Sequence, residues 1–366
     1  EGGGDEGADR GYAGFQAVFT PTTPATPSGA SAVVASGAGD GTLRVWRYST
    51  EQLVLSCKAH SAAILSVVAH PDGNLIATRA ADVEKPQIFE SGESATSGVI
   101  RLWRLNREEP IPCLNLLGDT VALSSRNVGL VATGVWDGTD GWVQLWRESG
   151  ECLKVIQAHT GLVTAVAFSG LLDDVVASGS TDGAINVWHG LTGRQLQHLH
   201  SGDKATVVAL AFSPLDNDIV AHAAVPGPMG GLGWIGVDRI SSGQRLATFT
   251  GHQGAVELLA MSPHDPDLLV SGAKDCTVKV WRFSTGGCVR TFLEAVTFLS
   301  FVPDDAGAVA CGSSDGSVRV WRHTTGGCAK TFREANIAAE STRAGTPGPG
   351  HAAKMAGEGQ GGQGGQ

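Results

Sequence analysis

The sequence predicts an all-β protein, a seven-bladed β-propeller of four-stranded antiparallel blades. Three observations predict it. First, a unit recurs in which apolar alternation runs into a Ser-Gly-x-x-Asp-Gly turn and then a second alternating segment ending in Trp. Second, these Trp landmarks fall at 46, 103, 146, 188, 281 and 321, with Asp238 in the equivalent place, giving spacings of 57, 43, 42, 50, 43 and 40. A period of about 40–45 residues with such a landmark marks a four-stranded propeller blade. Third, segments such as 164–168 (TAVAF) and 278–281 (VKVW) alternate with period two and favour β-branched and aromatic residues, the habit of strands rather than helices.

Each blade can be justified in order. Blade 1 should begin with a strand near 15–20 and carries ASGAGDGTLRVWR at 35–47. Blade 2 ends its third strand at Trp103 and holds an insertion at about 83–97 (VEKPQIFESGESATS), which accounts for the spacing of 57. Blade 3 leads to Trp146 through an Asp137-Gly138 turn, with a small expansion at 139–141. Blade 4 reads ASGSTDGAINVWH at 177–189, a short and regular unit. Blade 5 is the degenerate one: GWIGVDRI replaces the landmark, and an expansion at 226–233 accounts for the spacing of 50. Blades 6 and 7 read SGAKDCTVKVWR at 271–282 and CGSSDGSVRVWR at 311–322. The Asp-Gly turns at 40–41, 137–138, 182–183 and 315–316 supply the positive φ that tight hairpins require. A single blade cannot bury both faces, so the blades must stack around one continuous core.

Composition excludes other classes. Of 366 residues, 51 are Gly and 15 Pro, yet 42% are hydrophobic, enough for a packed core. No apolar run approaches the ~18 residues of a membrane helix. Lys and Arg number 26 against 36 Asp and Glu, a net charge of −10 that argues against a nucleic-acid or anionic-lipid binder. The seven cysteines include no CxxC pair, which points away from zinc sites and disulfide scaffolds and towards a reducing compartment. The chain is therefore expected inside the cell, in the cytoplasm, with nuclear or cytoskeletal placement as the other options. Residues 1–13 and 335–366 are too poor in large side chains to offset the entropy of ordering, so both are expected to be flexible tails around a propeller at 14–334. The chain starts at Glu1, which leaves a longer parent chain open.

The repeat over about 14–334 resembles the WD-repeat (WD40) family. The resemblance implies a hydrogen-bonded tetrad in each regular blade: a His before the first strand, Ser or Thr in the second, an Asp in the following turn and the third-strand Trp. Mapped here, the tetrads are His60, Thr78, Asp82 and Trp103; His159, Ser178, Asp182 and Trp188; and His252, Ser271, Asp275 and Trp281. Blade 1 lacks the His, blade 7 has Cys311 in the Ser place, and blades 3 and 5 depart further. The Asp that usually follows the Trp is absent, with Arg47, Arg104, Arg147, His189, Arg282 and Arg322 standing there instead.

His, Ser and Asp are the residue types of a hydrolase triad, which needs one exposed nucleophile and an oxyanion hole. Here the trio recurs in step with the repeat, so a structural role is expected, with no enzyme activity, cofactor or metal. Cys152, Cys288 and Cys328 occupy parallel positions and are read as small apolar filler. What rises above scaffold is an asymmetry. The expansions in blades 2, 3 and 5 all lie between second and third strands, whose loops share one face, and long loops on one face commonly mark the binding side. Trp136, Trp142 and Trp234 collect there without being landmarks. The family resemblance further implies partner contacts at the fifth residue after the tetrad His, here Phe15, Leu65, Asp119, Thr164, Val208, Glu257 and Thr297, and at the residue before the turn Asp, such as Trp136 and Lys274. Phe15, Leu65 and Trp136 would form an apolar arc, and Glu257 with Lys274 a polar sector. The expected function is a non-enzymatic scaffold for protein partners, with oligomeric state open. Other readings are the substrate receptor of a cullin-type ubiquitin ligase, disfavoured by the missing Trp-Asp-x-Arg, and one propeller of a larger cytoskeletal, ciliary or regulatory assembly protein.

Overall fold

The computed structural model describes residues 16–19, 33–47, 52–70, 74–82, 98–105, 112–127, 129–172, 174–202, 205–226, 231–302, 305–313 and 317–332. Phe15, the loops at 20–31 and 83–97 and both tails lie outside these residues. The chain is all-β, with seven four-stranded antiparallel sheets.

Each blade consists of four strands consecutive in sequence. Blade 1 is β1 (Gln16–Phe19), β2 (Val33–Gly37), β3 (Thr42–Arg47) and β4 (Leu53–Lys58). Blade 2 is β5 (Ile64–Ala69), β6 (Leu75–Ala80), β7 (Val99–Arg104) and β8 (Pro112–Leu117). Blade 3 is β9 (Thr120–Leu123), β10 (Leu130–Trp136), β11 (Gly141–Arg147) and β12 (Cys152–His159). Blade 4 is β13 (Val163–Phe168), β14 (Val175–Ser180), β15 (Ala184–His189) and β16 (Arg194–His200). Blade 5 is β17 (Thr206–Phe212), β18 (Ile219–Val225), β19 (Trp234–Arg239) and β20 (Arg245–Phe249). Blade 6 is β21 (Val256–Met261), β22 (Leu268–Ala273), β23 (Thr277–Arg282) and β24 (Gly287–Leu293). Blade 7 is β25 (Val296–Phe301), β26 (Ala308–Ser313), β27 (Val318–Arg322) and β28 (Cys328–Phe332).

The first strands β1, β5, β9, β13, β17, β21 and β25 touch one another in sequence, and β25 returns to β1. They line the central channel, and the ring is closed. Second strands are buried along their whole length, as β2, β14, β18, β22 and β26 show, because they face a neighbouring blade on both sides. Outer strands alternate with solvent, as in β4. Closure between blades 7 and 1 is by side-chain packing: Val34 and Trp46 of blade 1 meet Val302, Ala308, Ala310, Val318 and Val320, with Phe298 and Phe332 beside them. Among the described residues no strand crosses this seam, and each blade holds its own four.

The sequence left the residue after each landmark Trp unexplained, and in blades 5, 6 and 7 the packing supplies a reason. Arg282 pairs through Nη1 with Asp267 at 3.1 Å and through Nη2 with Asp265 at 3.2 Å. Arg322 pairs with Asp305 at 2.7 Å, and Arg239, after Asp238, pairs with Asp218 at 3.5 Å. In each case an Arg at the end of a third strand ties down the loop between first and second strands of its own blade. One expectation is corrected. Cys152, Cys288 and Cys328 are exposed on the outer strands, where side chains face solvent, and so are not packing filler. Cys311 is buried, and burial pushes its thiol pKa well up, so it stays protonated.

Candidate protein-interaction face

The tetrads form as hydrogen-bonded chains running from the blade's turn to its core. In blade 2, His60 Nδ1 lies 2.5 Å from Asp82 Oδ2 and Nε2 lies 2.8 Å from the Thr78 hydroxyl, whose oxygen accepts from Trp103 Nε1 at 2.8 Å. In blade 4, His159 reaches Asp182 at 3.2 Å and Ser178 Oγ at 2.8 Å, and Trp188 Nε1 donates to Ser178 at 3.1 Å. Blade 6 repeats the pattern: His252 to Asp275 at 3.0 Å, His252 to Ser271 at 2.7 Å, Trp281 to Ser271 at 2.7 Å. Thr78, Ser178 and Ser271 have no exposed surface, and each hydroxyl is held by two ring nitrogens.

Electrostatics fits the same picture. Burial raises the Asp182 pKa, but hydrogen bonds from His159 and from the Ala184 and Thr160 amides outweigh it and hold the group at about 2. Asp82 and Asp275 are lowered likewise, against burial, by Ser61, Ala62 and His60 in one case and Thr277, Gln253 and His252 in the other. Burial lowers the pKa of His60 and His252 against the pull of their carboxylates, which favours neutral rings donating from Nδ1. Fully satisfied networks of this kind rigidify the loops they close.

Two blades without a tetrad His solve the same problem with the extra tryptophans. In blade 3, Trp146 Nε1 still reaches Thr133 at 3.1 Å, but Asp137 is met by Trp142 Nε1 at 2.7 Å. Asp137 also takes the Thr139 and Asp140 amides and has a pKa of about 2, since these bonds overcome its burial. In blade 5, His222 stands at the Ser position and Asp238 at the Trp position, the register pairing Val220 with Asp238 and His222 with Gly236. An added Cβ at Gly236 would come within 2.3 Å of the imidazole, so this glycine makes the room the ring needs. His222 Nδ1 sits 3.2 Å from Asp238 Oδ2, off the line of a hydrogen bond, and Arg245 pairs with Asp238 from the outside. Trp234 covers the set, edge-on to His222 at 5.3 Å between centroids and beneath the Arg245 guanidinium at 5.1 Å. Trp142 and Trp234 are thus half-buried lids over their own blades. Asp238 was legible as a departure in the repeat; His222 and Arg245 were missed, because neither residue type belongs to the repeat.

The remaining predicted contacts lie on the face formed by the second-to-third-strand loops and the blade-to-blade connections. Leu65 is exposed, Trp136 is half-buried, and its amide donates to Asp119 at 3.2 Å. Glu257 and Lys274 are both exposed and form an ion pair at 3.0 Å. One backbone device recurs here. In five blades the first strand carries a register shift, and the extra residue is Leu65, Thr164, Val208, Glu257 or Thr297. A bulge takes one residue out of the ladder and re-aims its side chain. The positions expected from the resemblance to touch partners are therefore, in these blades, the bulged ones. Thr164 is spent on its neighbour, donating to Gly179 O at 3.1 Å, whereas Leu65 and Glu257 are exposed.

Among the described residues, no group of three or more His, Cys, Asp or Glu is placed to hold a metal, and no helix is long and apolar enough to cross a membrane.

Comparison with known proteins gives a consistent picture. The profile described as WD domain, G-beta repeat matches residues 51–104, 150–189, 243–282 and 286–322. Each match runs from the outer strand of one blade to the third strand of the next. The stretches between matches include the first three strands of blades 3 and 5, the blades that depart furthest from the tetrad. Meiotic fizzy-related protein 1 of Schizosaccharomyces pombe is 26% identical over 258 residues, 70% of this chain and 55% of the relative. Telomerase protein component 1 of Mus musculus is 27% identical over 246 residues, 66% of this chain and 8% of the relative. Nuclear distribution protein PAC1 of Gibberella zeae is 27% identical over 154 residues, 40% of this chain and 32% of the relative. The chain's matches span about half the length of the first of these relatives and less of the others.

Proposed function

Because the chain belongs to the WD-repeat family, we propose that it is a non-catalytic scaffold that grips a protein partner on the face carrying the first-strand bulges. The single observation behind this reading is the bulge itself. It costs a backbone pairing in five blades, and in two of them it delivers an exposed side chain, Leu65 and Glu257, at the channel mouth. Leu65 and Trp136 form the apolar part of the contact, with Phe15 assigned to it from the sequence. Glu257 and Lys274 form the charged part. Trp142 and Trp234 act from behind, by holding loops in place.

Catalysis by the recurring Ser, His and Asp is disfavoured on geometry. Ser178 and Ser271 are sealed from solvent and already hydrogen-bonded by a His and a Trp, so no substrate carbonyl could reach them. Relatives named a meiotic fizzy-related protein, a nuclear distribution protein and a telomerase protein component support a role inside the cell and within an assembly.

The test is affinity capture with the intact chain, side by side with a Leu65→Glu/Trp136→Ala variant. The partner recovered by the wild type should bind the variant about 2–4 kcal/mol more weakly, the range of a central hot spot. Lys274→Ala should cost less and chiefly slow association. Equal affinity for the double variant, with unchanged thermal melts, would overturn the assignment to this face.

A further inference from the structure

Outside the tetrads, one pair of side chains is arranged beyond what the fold requires. His198 and His200 lie two residues apart on β16, so strand alternation puts both rings on one face. Both are exposed, and their Nε2 atoms are 3.0 Å apart with the rings nearly perpendicular, at 87°. The polar groups behind them determine which nitrogens carry protons. Asn186, next to His198 in the strand register, donates from Nδ2 to the buried Ala158 carbonyl at 2.8 Å. Its Oδ1 is therefore an acceptor, and it takes Gln195 Nε2 at 2.8 Å and His198 Nδ1 at 2.5 Å. With Nδ1 donating, the His198 ring presents a bare lone pair at Nε2. In the metal-free state His200 fills it with its own Nε2–H.

We propose that His198 and His200 form a two-nitrogen chelate for a divalent transition-metal ion of the zinc, copper and nickel class. Two metal–imidazole bonds of about 2.0–2.1 Å, meeting between a right angle and the tetrahedral angle, hold their nitrogens about 2.9–3.4 Å apart. The observed separation falls in that span, and each ring needs only to turn so that its Nε2, now aimed at the other nitrogen, points at the shared ion. Imidazole suits these borderline ions, and a ligand His whose other nitrogen donates to a fixed carbonyl is the usual arrangement behind a metal. On binding, His200 carries its proton at Nδ1 instead of Nε2, and both Nε2 lone pairs go to the ion. The backbone there is already held, since Arg245 Nη2 donates to His200 O at 3.0 Å. Water, or a donor from a docked partner, completes the coordination.

The experiment is calorimetric titration of the untagged full chain with nickel chloride at neutral pH, its exposed thiols first blocked with iodoacetamide. One ion should bind per chain. His198→Gln and His200→Gln should each weaken it at least about tenfold, since each removes half of the chelate. His264→Gln, at a ring that lies 3.3 Å from Val302 O, should leave it unchanged. Both test positions are exposed, so melting temperatures should not move and a folding defect cannot mimic the loss. Absence of saturable binding by the wild type, or equal binding by the His198→Gln/His200→Gln double variant, would overturn the proposal.

Discussion

Asp182 shows how a tetrad residue contributes at the scale of one side chain. Its carboxylate accepts from His159 and from two backbone amides, and its pKa of about 2 lies below the 3.8 of an unperturbed Asp. A depressed carboxylate contributes stability that is complete above pH 3.8 and lost as the pH falls towards 2. Asp182→Asn should therefore be less stable than wild type at pH 7 by about 1–3 kcal/mol. The gap should narrow between pH 4 and pH 2, as wild type loses what the variant never had, and urea titrations at pH 7, 4 and 2.5 would measure it. Residues of this kind were legible in the sequence because the same side-chain type returns at the same offset, as His159, Ser178 and Asp182 return in His252, Ser271 and Asp275. Trp142 and Trp234 were visible as extra tryptophans, but the groups their indoles would meet were not. Those partners depend on which tetrad members a blade has lost. The same loss explains buried groups left unsatisfied: Cys311 replaces the hydroxyl that would receive Trp321 Nε1, and that nitrogen has no partner.

At the scale of the strand and turn, the repeat predicts hairpins well and irregularities poorly. The turn between the second and third strands needs positive φ, which Gly41 supplies at 84° and Gly183 at 82°. Blade 6 has Cys276 in that place, at 57°. A side chain there costs about 1–2 kcal/mol, partly offset by the entropy a glycine would lose. Cys276→Gly should then stabilise the protein by about 0.5–1 kcal/mol, seen as a higher melting temperature with an unchanged urea slope. This strain could be read from sequence, as Asp-Cys where other blades have Asp-Gly. The bulges could not. A residue such as Glu257 looks like any other strand position until pairing shows Val256 opposite Ala273 and Leu258 opposite Gly272. A second bulge faces most landmarks from the outer strand, as where Trp281 pairs with Cys288 and Val280 with Arg290. Irregular outer edges of this kind resist pairing with other chains.

At the scale of the whole molecule, what holds the ring shut is apolar contact between blades 7 and 1. Val34 is 1% exposed at that seam, so Val34→Ala should cost about 2 kcal/mol and raise hydrogen exchange in blades 1 and 7 before the others. Uniform exchange around the ring would show that the seam is no weaker than the linked joints. The blade count was legible from the spacing of Trp46 to Trp321. The seam also has a mechanical meaning. Tension applied to the two ends of the propeller arrives at the joint that, among the described residues, no peptide bond or strand pairing spans. Apolar surfaces separate under small loads over short distances, whereas antiparallel ladders pulled along their length resist until many bonds break together. Stretched in an optical trap, the molecule should first yield softly, as the circle becomes an arc, and only then unravel blade by blade in larger steps. A ring fastened by an exchanged strand would give no such early yield.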